Sequence, residues 1–457
     1  MAITSLTGMK DVLPVDQESW LFIDNWQRLE ELMRWQGRLF GFREMRTPLL
    51  EMTELFARGV GDTTDVVTKE MYSFTDRGDR PITVRPELTA GLVRAFIEHK
   101  LYALPQPTKV FGIGPAFRYE RPQAGRLRQH HQWSVEVFGS QDPATDAEVI
   151  QIGIDLASRL GLEGLTVHLN SIGCPVCRPG YREKLKDYFR PHLPELCPDC
   201  NERFEKNPLR ILDCKVDRDK PFMAGAPKSI DHLCEECAGH FEGVQKHLQA
   251  LEIPFEIDTG IVRGLDYYTK TVFEVIYPPL GAQSTVWGGG RYDGLVETLG
   301  GPPTPGIGFG MGLERVLLTL EEMGLTLPPQ PPLDAFVATI GDAARNAALP
   351  LAARLRRAGL SAELDVLGRS LKAQMKYADR LGARYVVILG DDELAQGEAQ
   401  VKDMAGSEQH QVPLEDLAFW IEERKAAAGG GRPTDGPPAG HSQNPQTQPE
   451  NGGTHRG

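Results

Sequence analysis

The chain lacks any uninterrupted apolar run of the ~18 residues that a membrane-spanning helix requires. Its opening residues, Met1 to Asp11, carry no apolar stretch of the kind a secretion signal needs. Neither a transmembrane nor an exported protein is expected. Positive charge is not in excess: 50 Lys and Arg stand against 63 Asp and Glu, a formal net charge of −13. That balance excludes a generic nucleic-acid coat but leaves room for a local basic cleft, because binding responds to patches rather than totals. Cysteine is absent before residue 174 and after residue 237. Six of the seven cysteines form Cys-x-x-Cys pairs, Cys174/Cys177, Cys197/Cys200 and Cys234/Cys237, and Cys214 stands apart. An odd number without a signal peptide argues against a disulfide framework and for reduced thiols in the cytoplasm. Repeated Cys-x-x-Cys is also a zinc spacing. Three pairs and a single do not make one clean set of four, so structural Zn²⁺ and free thiols both stay open. Any metal held there is expected to be structural, at about one ion per chain or none.

What is present is a soluble globular composition, 40% hydrophobic and 25% charged over 457 residues, long enough for two or three domains. Residues 16–40 read as an amphipathic helix with Phe22, Trp26, Leu29, Met33 and Phe40 near helical spacing, closed by Gly41. A strand from Phe42 to Leu50 follows. Strand-like runs recur at Pro81–Arg85, Lys109–Tyr119 and His131–Gly139 without a regular βα rhythm, which predicts an antiparallel sheet flanked by helices. An α+β domain over 1–327 is expected, interrupted by a Cys-rich insertion at about 174–256. Residues 328–332, Pro-Pro-Gln-Pro-Pro, form a stiff linker. Beyond it, strands at Asp334–Gly341, Ser361–Leu367 and Arg384–Gly390 alternate with helices at Ala343–Ala358, Ser370–Leu381 and Pro413–Lys425. This is the order of a small α/β domain with a largely parallel core, over 333–425. Residues 426–457, rich in Gly, Pro, Gln, Asn and Ser, read as a disordered tail.

Four segments carry chemistry. Gly260–Glu274 places Arg263, Asp266, Tyr267 and Tyr268 within six positions. A forked guanidinium suits phosphate and a rigid ring aims its hydroxyl, so the composition fits a polyanion beside a small polar molecule. A Gly turn entering an edge strand would look similar. Phe117–Trp133 gathers Arg118, Arg121, Arg126 and Arg128 around a Pro/Gly turn. Guanidiniums so close repel one another unless a polyanion is bound there. Gly288–Gly294 and Gly306–Arg315 supply closely spaced glycines, which permit close backbone approach to a base or phosphate, or simply tight packing. Thr83–Ala90 offers Glu87 and Thr89 as acceptors for an ammonium group.

Gly260–Glu274 resembles the histidine-specific signature of the histidyl-tRNA synthetases almost residue for residue. Phe117–Trp133 resembles motif 2 of the class II aminoacyl-tRNA synthetases, and the Gly-Leu-Glu-Arg ending at Arg315 resembles motif 3. The helix, strand and proline up to Leu50 resemble motif 1, which lies at the dimer interface in that class. Gly-Arg-Ser-Leu-Lys-Ala-Gln-Met-Lys-Tyr-Ala (368–378) resembles the C-terminal anticodon-binding domain. The resemblance covers roughly 5–425.

It implies a homodimeric cytoplasmic ligase that takes L-histidine, ATP with Mg²⁺, and tRNA(His). By it, Arg118 and Arg263 are catalytic, and with Arg126 and Arg315 they bind ATP. Glu87, Thr89 and Gln132 would take the α-amino group of histidine. Glu136 and Tyr268 would each face one imidazole nitrogen, with Tyr267 in the same pocket, and Gln123 would meet the tRNA acceptor end. His130 stands where the family usually has Phe, and Leu88 where it usually has Gly. A non-catalytic histidine-binding paralogue, acting as a regulatory subunit, is the alternative. Such paralogues typically lack the C-terminal domain and the ATP-binding arginines, and this chain has both.

Overall fold

The computed structural model describes residues 3–15, 18–61, 64–123, 125–214, 216–327, 330–406 and 408–428. The chain divides into two compact units, Met1–Pro329 and Gln330–Gly457.

The first unit is built on eight strands: β1 (Arg43–Glu44), β2 (Thr108–Phe117), β3 (Gln129–Phe138), β4 (Thr166–Ser171), β5 (Phe255–Ile257), β6 (Thr269–Ile276), β7 (Thr285–Arg291) and β8 (Gly306–Gly312). Their order across the sheet is β1-β2-β3-β8-β7-β6-β4-β5. Every pairing from β2 to β4 is antiparallel. Only the edge pairs, β1 with β2 and β4 with β5, are parallel. The antiparallel expectation holds for the body of the sheet.

In chain order the helices of this unit that matter are α1 (Ile23–Leu39), α2 (Thr89–Glu98), α3 (Pro143–Arg159), α4 (Arg178–Phe189), α5 (Pro198–Lys206), α6 (Glu235–Ala250) and α7 (Leu313–Glu322). Trp26, Leu29 and Met33 recur every three or four residues on α1 and are buried, the spacing that puts one helical face on a core. The helix starts at Ile23 rather than near residue 16, after a single 3-10 turn at Ser19–Leu21; residues 16 and 17 lie outside the described residues. Helix α3 starts where the sequence chemistry asks it to. The Asp142 carboxylate accepts from the Ala144 N–H at 2.9 Å and Pro143 takes the first helical position. Losing such a cap costs about 1 kcal/mol.

Side chains alternate across a strand, so β3 has two faces. Trp133, Val135 and Val137 join the core beneath α1, α3 and α7, together with Phe273 and Phe309 from β6 and β8. The even-numbered residues of β3 point the other way. Pro81–Val84 is not part of this sheet; it pairs with Leu50–Met52 and Tyr72–Thr75 in a separate three-stranded one.

Within 174–256, helices α4 and α5 and the turns after them pack Tyr181, Leu185, Phe189 and Phe204 into a small core that also takes in Tyr268 and Val272. Helix α6 instead adds Val244 and Leu248 to the main core, and β5 extends the sheet. Buried polar bonds fasten α6 down: His240 Nε2 lies 2.6 Å from Asp146 Oδ2, and Arg291 reaches the other oxygen at 2.6 Å.

The second unit has strands β9 (Ala335–Ile340), β10 (Ala362–Leu364), β11 (Tyr385–Gly390), β12 (Glu398–Asp403) and β13 (Gln409–Pro413), with helices α8 (Asp342–Arg357), α9 (Leu371–Arg380) and α10 (Leu417–Ala428). The sheet order is β10-β9-β11-β12-β13. The first three are parallel, as the βαβ rhythm predicts, and β12 and β13 add an antiparallel edge that it did not. Helix α10 starts four residues later than Pro413 and runs through 426–428, the first residues read as tail. The rest of that tail, and Pro328 and Pro329 of the linker, lie outside the described residues.

Candidate functional site

The even face of β3 carries His130, Gln132, Ser134 and Glu136 in a row. From His130 to Glu136 the strand advances about 20 Å. The neighbouring strands leave this row uncovered because they present glycine. A Cβ on Gly310 would lie 3.4 Å from the Gln132 amide, one on Gly312 3.3 Å from Arg315 Cγ, and one on Gly288 2.8 Å from the Arg263 guanidinium. One on Gly308 would overlap the Glu136 carboxyl. The glycine runs that the sequence left ambiguous therefore pave a floor beneath the functional side chains.

At one end Glu136 is fully buried. The hydroxyls of Thr89 and Ser134 each donate to its Oε1 at 2.7 Å, and the Tyr292 hydroxyl donates to Oε2. Burial pushes its pKa up to about 8, although the three hydroxyls pull it down. Tyr267 lies 4.6 Å from Tyr268 and 5.6 Å edge-on from Tyr292, centroid to centroid. Ser134 and Tyr292 were not singled out from the sequence. Tyr292 had a signal: it is the aromatic inside the Gly288–Gly294 run, where a pure packing turn needs none.

Glu87 is buried, and the first turn of α2 holds both its oxygens, through the N–H of Thr89 at 2.5 Å and of Ala90 at 2.7 Å. Burial nonetheless raises its pKa. It thus anchors the helix that brings Thr89 to Glu136. Gln132 lies partly buried between the two ends of the row.

The other end is cationic. Arg118 Nε donates to the Pro86 carbonyl at 2.9 Å, Arg126 Nε pairs with Glu120 at 2.7 Å, and Arg315 Nε donates to the Gly125 carbonyl at 2.9 Å. Burial, then the charges of Arg118, His131, Arg126 and Arg315, bring the pKa of His130 down to about 3, so its ring is neutral. Burial and the nearby Arg126 lower that of Arg315. Gln123 is exposed at the tip of the hairpin, which closes by paired backbone bonds to Arg126 at 3.0 and 2.9 Å. Arg121 is exposed, and the Arg128 guanidinium lies 3.9 Å over the Tyr119 ring.

Arg263 joins the two ends. It pairs with Glu274 on β6, whose other oxygen accepts from the Thr285 hydroxyl at 2.8 Å. Its guanidinium sits 5.7 Å from the centre of the Tyr268 ring. Asp266, the nearer acid in sequence, accepts from the Asn207 amide at 2.9 Å. The arrangement suits a small molecule with N–H groups at the Glu136 end and a polyanion among the guanidiniums. The cysteines form two groups, and Cys200 and Cys214 share the small core that takes in Tyr268.

Residues 8–174 and 219–316 match a family model described as histidyl-tRNA synthetase, and 334–424 match one described as anticodon binding domain. The histidine–tRNA ligase of Symbiobacterium thermophilum is 60% identical over 432 residues, covering 93% of this chain and 100% of the relative. That of Desulforamulus reducens is 54% identical over 424 residues, with 93% and 100% covered. Among solved structures, that of apo S. aureus histidyl-tRNA synthetase superposes with a TM-score of 0.78 at 38% identity, covering 92% of this chain and 100% of that one. The β3 row, the tyrosines and the four arginines all fall inside the matched ranges, and the chain belongs to the histidyl-tRNA synthetase family, with a class II catalytic sheet and an anticodon-binding domain.

Proposed function

We propose that this protein is a histidine–tRNA ligase, activating L-histidine with ATP and transferring it to the 3′ end of tRNA(His). The observation that carries this is the single glycine-floored face with a hydroxyl-ringed carboxyl at one end and guanidiniums at the other. The imidazole sits at Glu136 and Tyr268, with Tyr267 beside them. The α-amino group sits toward Glu87, Thr89 and Gln132. A site that pairs both ring nitrogens rejects apolar analogues by ~10⁴ or more, because they leave its buried polar groups unpaired.

In the first step a carboxylate oxygen of histidine attacks the α-phosphorus of ATP and pyrophosphate leaves. Negative charge grows on the phosphoryl oxygens, and fixed guanidiniums stabilise it without reorganising. Arg118 and Arg263 take that position; Arg126 and Arg315 hold the rest of the triphosphate. ATP brings Mg²⁺, and Glu70 and Glu120, which stand together beside Arg118 and Arg126, are oxygen donors of the right kind. In the second step the terminal ribose hydroxyl attacks the histidyl carbonyl and AMP leaves. No side-chain nucleophile takes part.

Gln123 at the exposed hairpin tip meets the tRNA acceptor end, and the domain over 333–425 reads the anticodon. Exposed Leu49, Leu50, Met52 and Phe74 form an apolar patch around the three-stranded sheet, which supports a homodimer through the motif 1 region. Among the described residues no helix is long and apolar enough to cross a membrane. Seven free cysteines suit the cytoplasm, and they serve a structural metal rather than the reaction. The regulatory-subunit reading has less support, since all four arginines and the second domain are present. Pyrophosphate exchange into ATP, with histidine as the only amino acid supplied, tests the proposal. Exchange should depend on histidine, and its absence would refute the ligase reading.

A further inference from the structure

Seven cysteines cannot fill two sets of four, and the fold supplies the missing donor. Cys174, Cys177, Cys234 and Cys237 bring their sulfurs within 4.8 Å of one another. Cys197, Cys200 and Cys214 do the same with a carboxylate oxygen of Asp217. Neighbouring sulfurs stand 3.8 Å (Cys174–Cys177), 3.9 Å (Cys174–Cys234), 3.9 Å (Cys177–Cys237) and 3.7 Å (Cys197–Cys214) apart. Four thiolates around one zinc at the usual Zn–S bond length have edges of ~3.8 Å. All seven cysteines are free.

The surroundings are arranged for thiolates. Cys177, Cys197 and Cys234 are the residues at which α4, α5 and α6 begin, where the helix dipole favours negative charge. Backbone N–H groups point at sulfur, from Val176 to Cys174 at 3.3 Å and from Cys174 to Cys177 at 3.2 Å. Asp217, fully buried, is oriented by the Cys197 N–H at 3.0 Å and by Lys220 at 2.7 Å.

We propose that the chain binds two Zn²⁺ ions, one in the Cys174–Cys177–Cys234–Cys237 set and one in the Cys197–Cys200–Cys214–Asp217 set. Sulfur-rich, four-donor, single-ion sites select zinc among the common divalent metals. The second set lies wholly within 175–218, which the synthetase family model leaves unmatched.

Both centres brace the histidine pocket from behind. At the first, Arg178, next to Cys177, donates to the Tyr268 carbonyl at 2.6 Å, and Glu236, between Cys234 and Cys237, pairs with Lys270 at 2.8 Å. At the second, the loop between Cys200 and Cys214 reaches the same strip of chain: Arg210 donates to the Gly264 carbonyl at 3.1 Å and Asn207 to Asp266 at 2.9 Å. Residues 264–270, which contain Tyr267 and Tyr268, are held from two sides. The bracing role rests on the ligase reading; the metal count does not.

The test is elemental analysis of the full chain, purified reduced and without chelator, then reloaded with ZnCl₂ and desalted. About two Zn per chain are expected, and Co²⁺ in their place should give the thiolate charge-transfer and tetrahedral bands of both sites. Cys237→Ser and Cys200→Ser should each remove one ion and spare the other. A wild-type count of one after reloading overturns the two-centre assignment, and a count of none, or iron instead of zinc, overturns both. Because the count is made on wild-type protein, a variant that fails to fold cannot mask the answer. Removing the metal should raise the KM for histidine more than that for ATP; equal changes would overturn the bracing role alone.

Discussion

Glu136→Gln should make the protein more stable and a worse enzyme at the same time. The wild-type carboxyl, ordinarily at 4.5, is pushed up to about 8 by burial. The folded chain therefore binds more protons than the unfolded one between those values, and stability falls as pH rises through that window. The stability lost through this shift is about 3 kcal/mol at pH 7 and levels off at about 5 kcal/mol above pH 8. Glutamine removes the ionisation but keeps an oxygen for Thr89 and Ser134. Thermal melts should show wild type and variant close together near pH 5 and the variant melting higher at pH 8. Histidine affinity should move the other way. On the proposed function the carboxylate would accept the imidazole N–H once histidine is bound, and losing a hydrogen bond to a charged group costs about 1.5–3 kcal/mol, roughly a 10- to 100-fold rise in the histidine KM. The KM for ATP, proposed to bind at the guanidinium end of β3, should stay within about twofold. If the variant melts lower than wild type at pH 8 with an unchanged histidine KM, Glu136 is a structural anchor for α2 and not part of the pocket.

Arg263→His should depress histidine-dependent exchange about a hundredfold, on the order of 3 kcal/mol, while transfer from preformed histidyl-adenylate falls much less. Glu274→Gln is its control, since it breaks the same ion pair; if both variants lose exchange and transfer equally, Arg263 only fastens its loop. His130, depressed to about 3 against an ordinary 6.5, withdraws stability as pH falls from 6.5 toward 3, because there the unfolded chain binds more protons. His130→Phe should therefore flatten the acid limb of a melting-temperature profile, and an unchanged limb would mean the ring is not held neutral. A chain ending at Leu327 should keep histidine-dependent exchange yet charge tRNA poorly, provided its oligomeric state is unchanged; full charging rates would remove the anticodon role from 333–425.

What the sequence made legible follows from what is local. His131–Gly139 could be read as a strand from its local pattern, and the structure sets Gln132 and Glu136 on one face of it, opposite buried Trp133, Val135 and Val137; their roles came only through the resemblance. Tyr292 reaches the same carboxyl from 156 residues away, and nothing short of the β3-β8-β7 order brings it there. Asp217 was invisible for a related reason: one acid in a charged stretch acquires meaning only when three thiols fold around it. Arg263 pairs with Glu274, eleven residues on in strand β6, a partner that nearness in sequence does not suggest. The edge strands β12 and β13 escaped because only Ala399, Val401 and Val412 among them are buried, too few to stand out as a periodic signal.

The sulfurs of Cys174 and Cys234 lie 3.9 Å apart although 60 residues separate them in sequence. The excursion between them therefore leaves and re-enters the catalytic framework through one narrow mouth. Sequence can be added inside such a mouth without shifting β4 or α6, since doubling a loop costs only about 0.6 kcal/mol of closure entropy. The stretch without a counterpart in the family model, 175–218, begins just inside that mouth. A lineage can thus rewrite this part of the molecule, the proposed second metal centre included, while the strands and helix at the mouth keep their places.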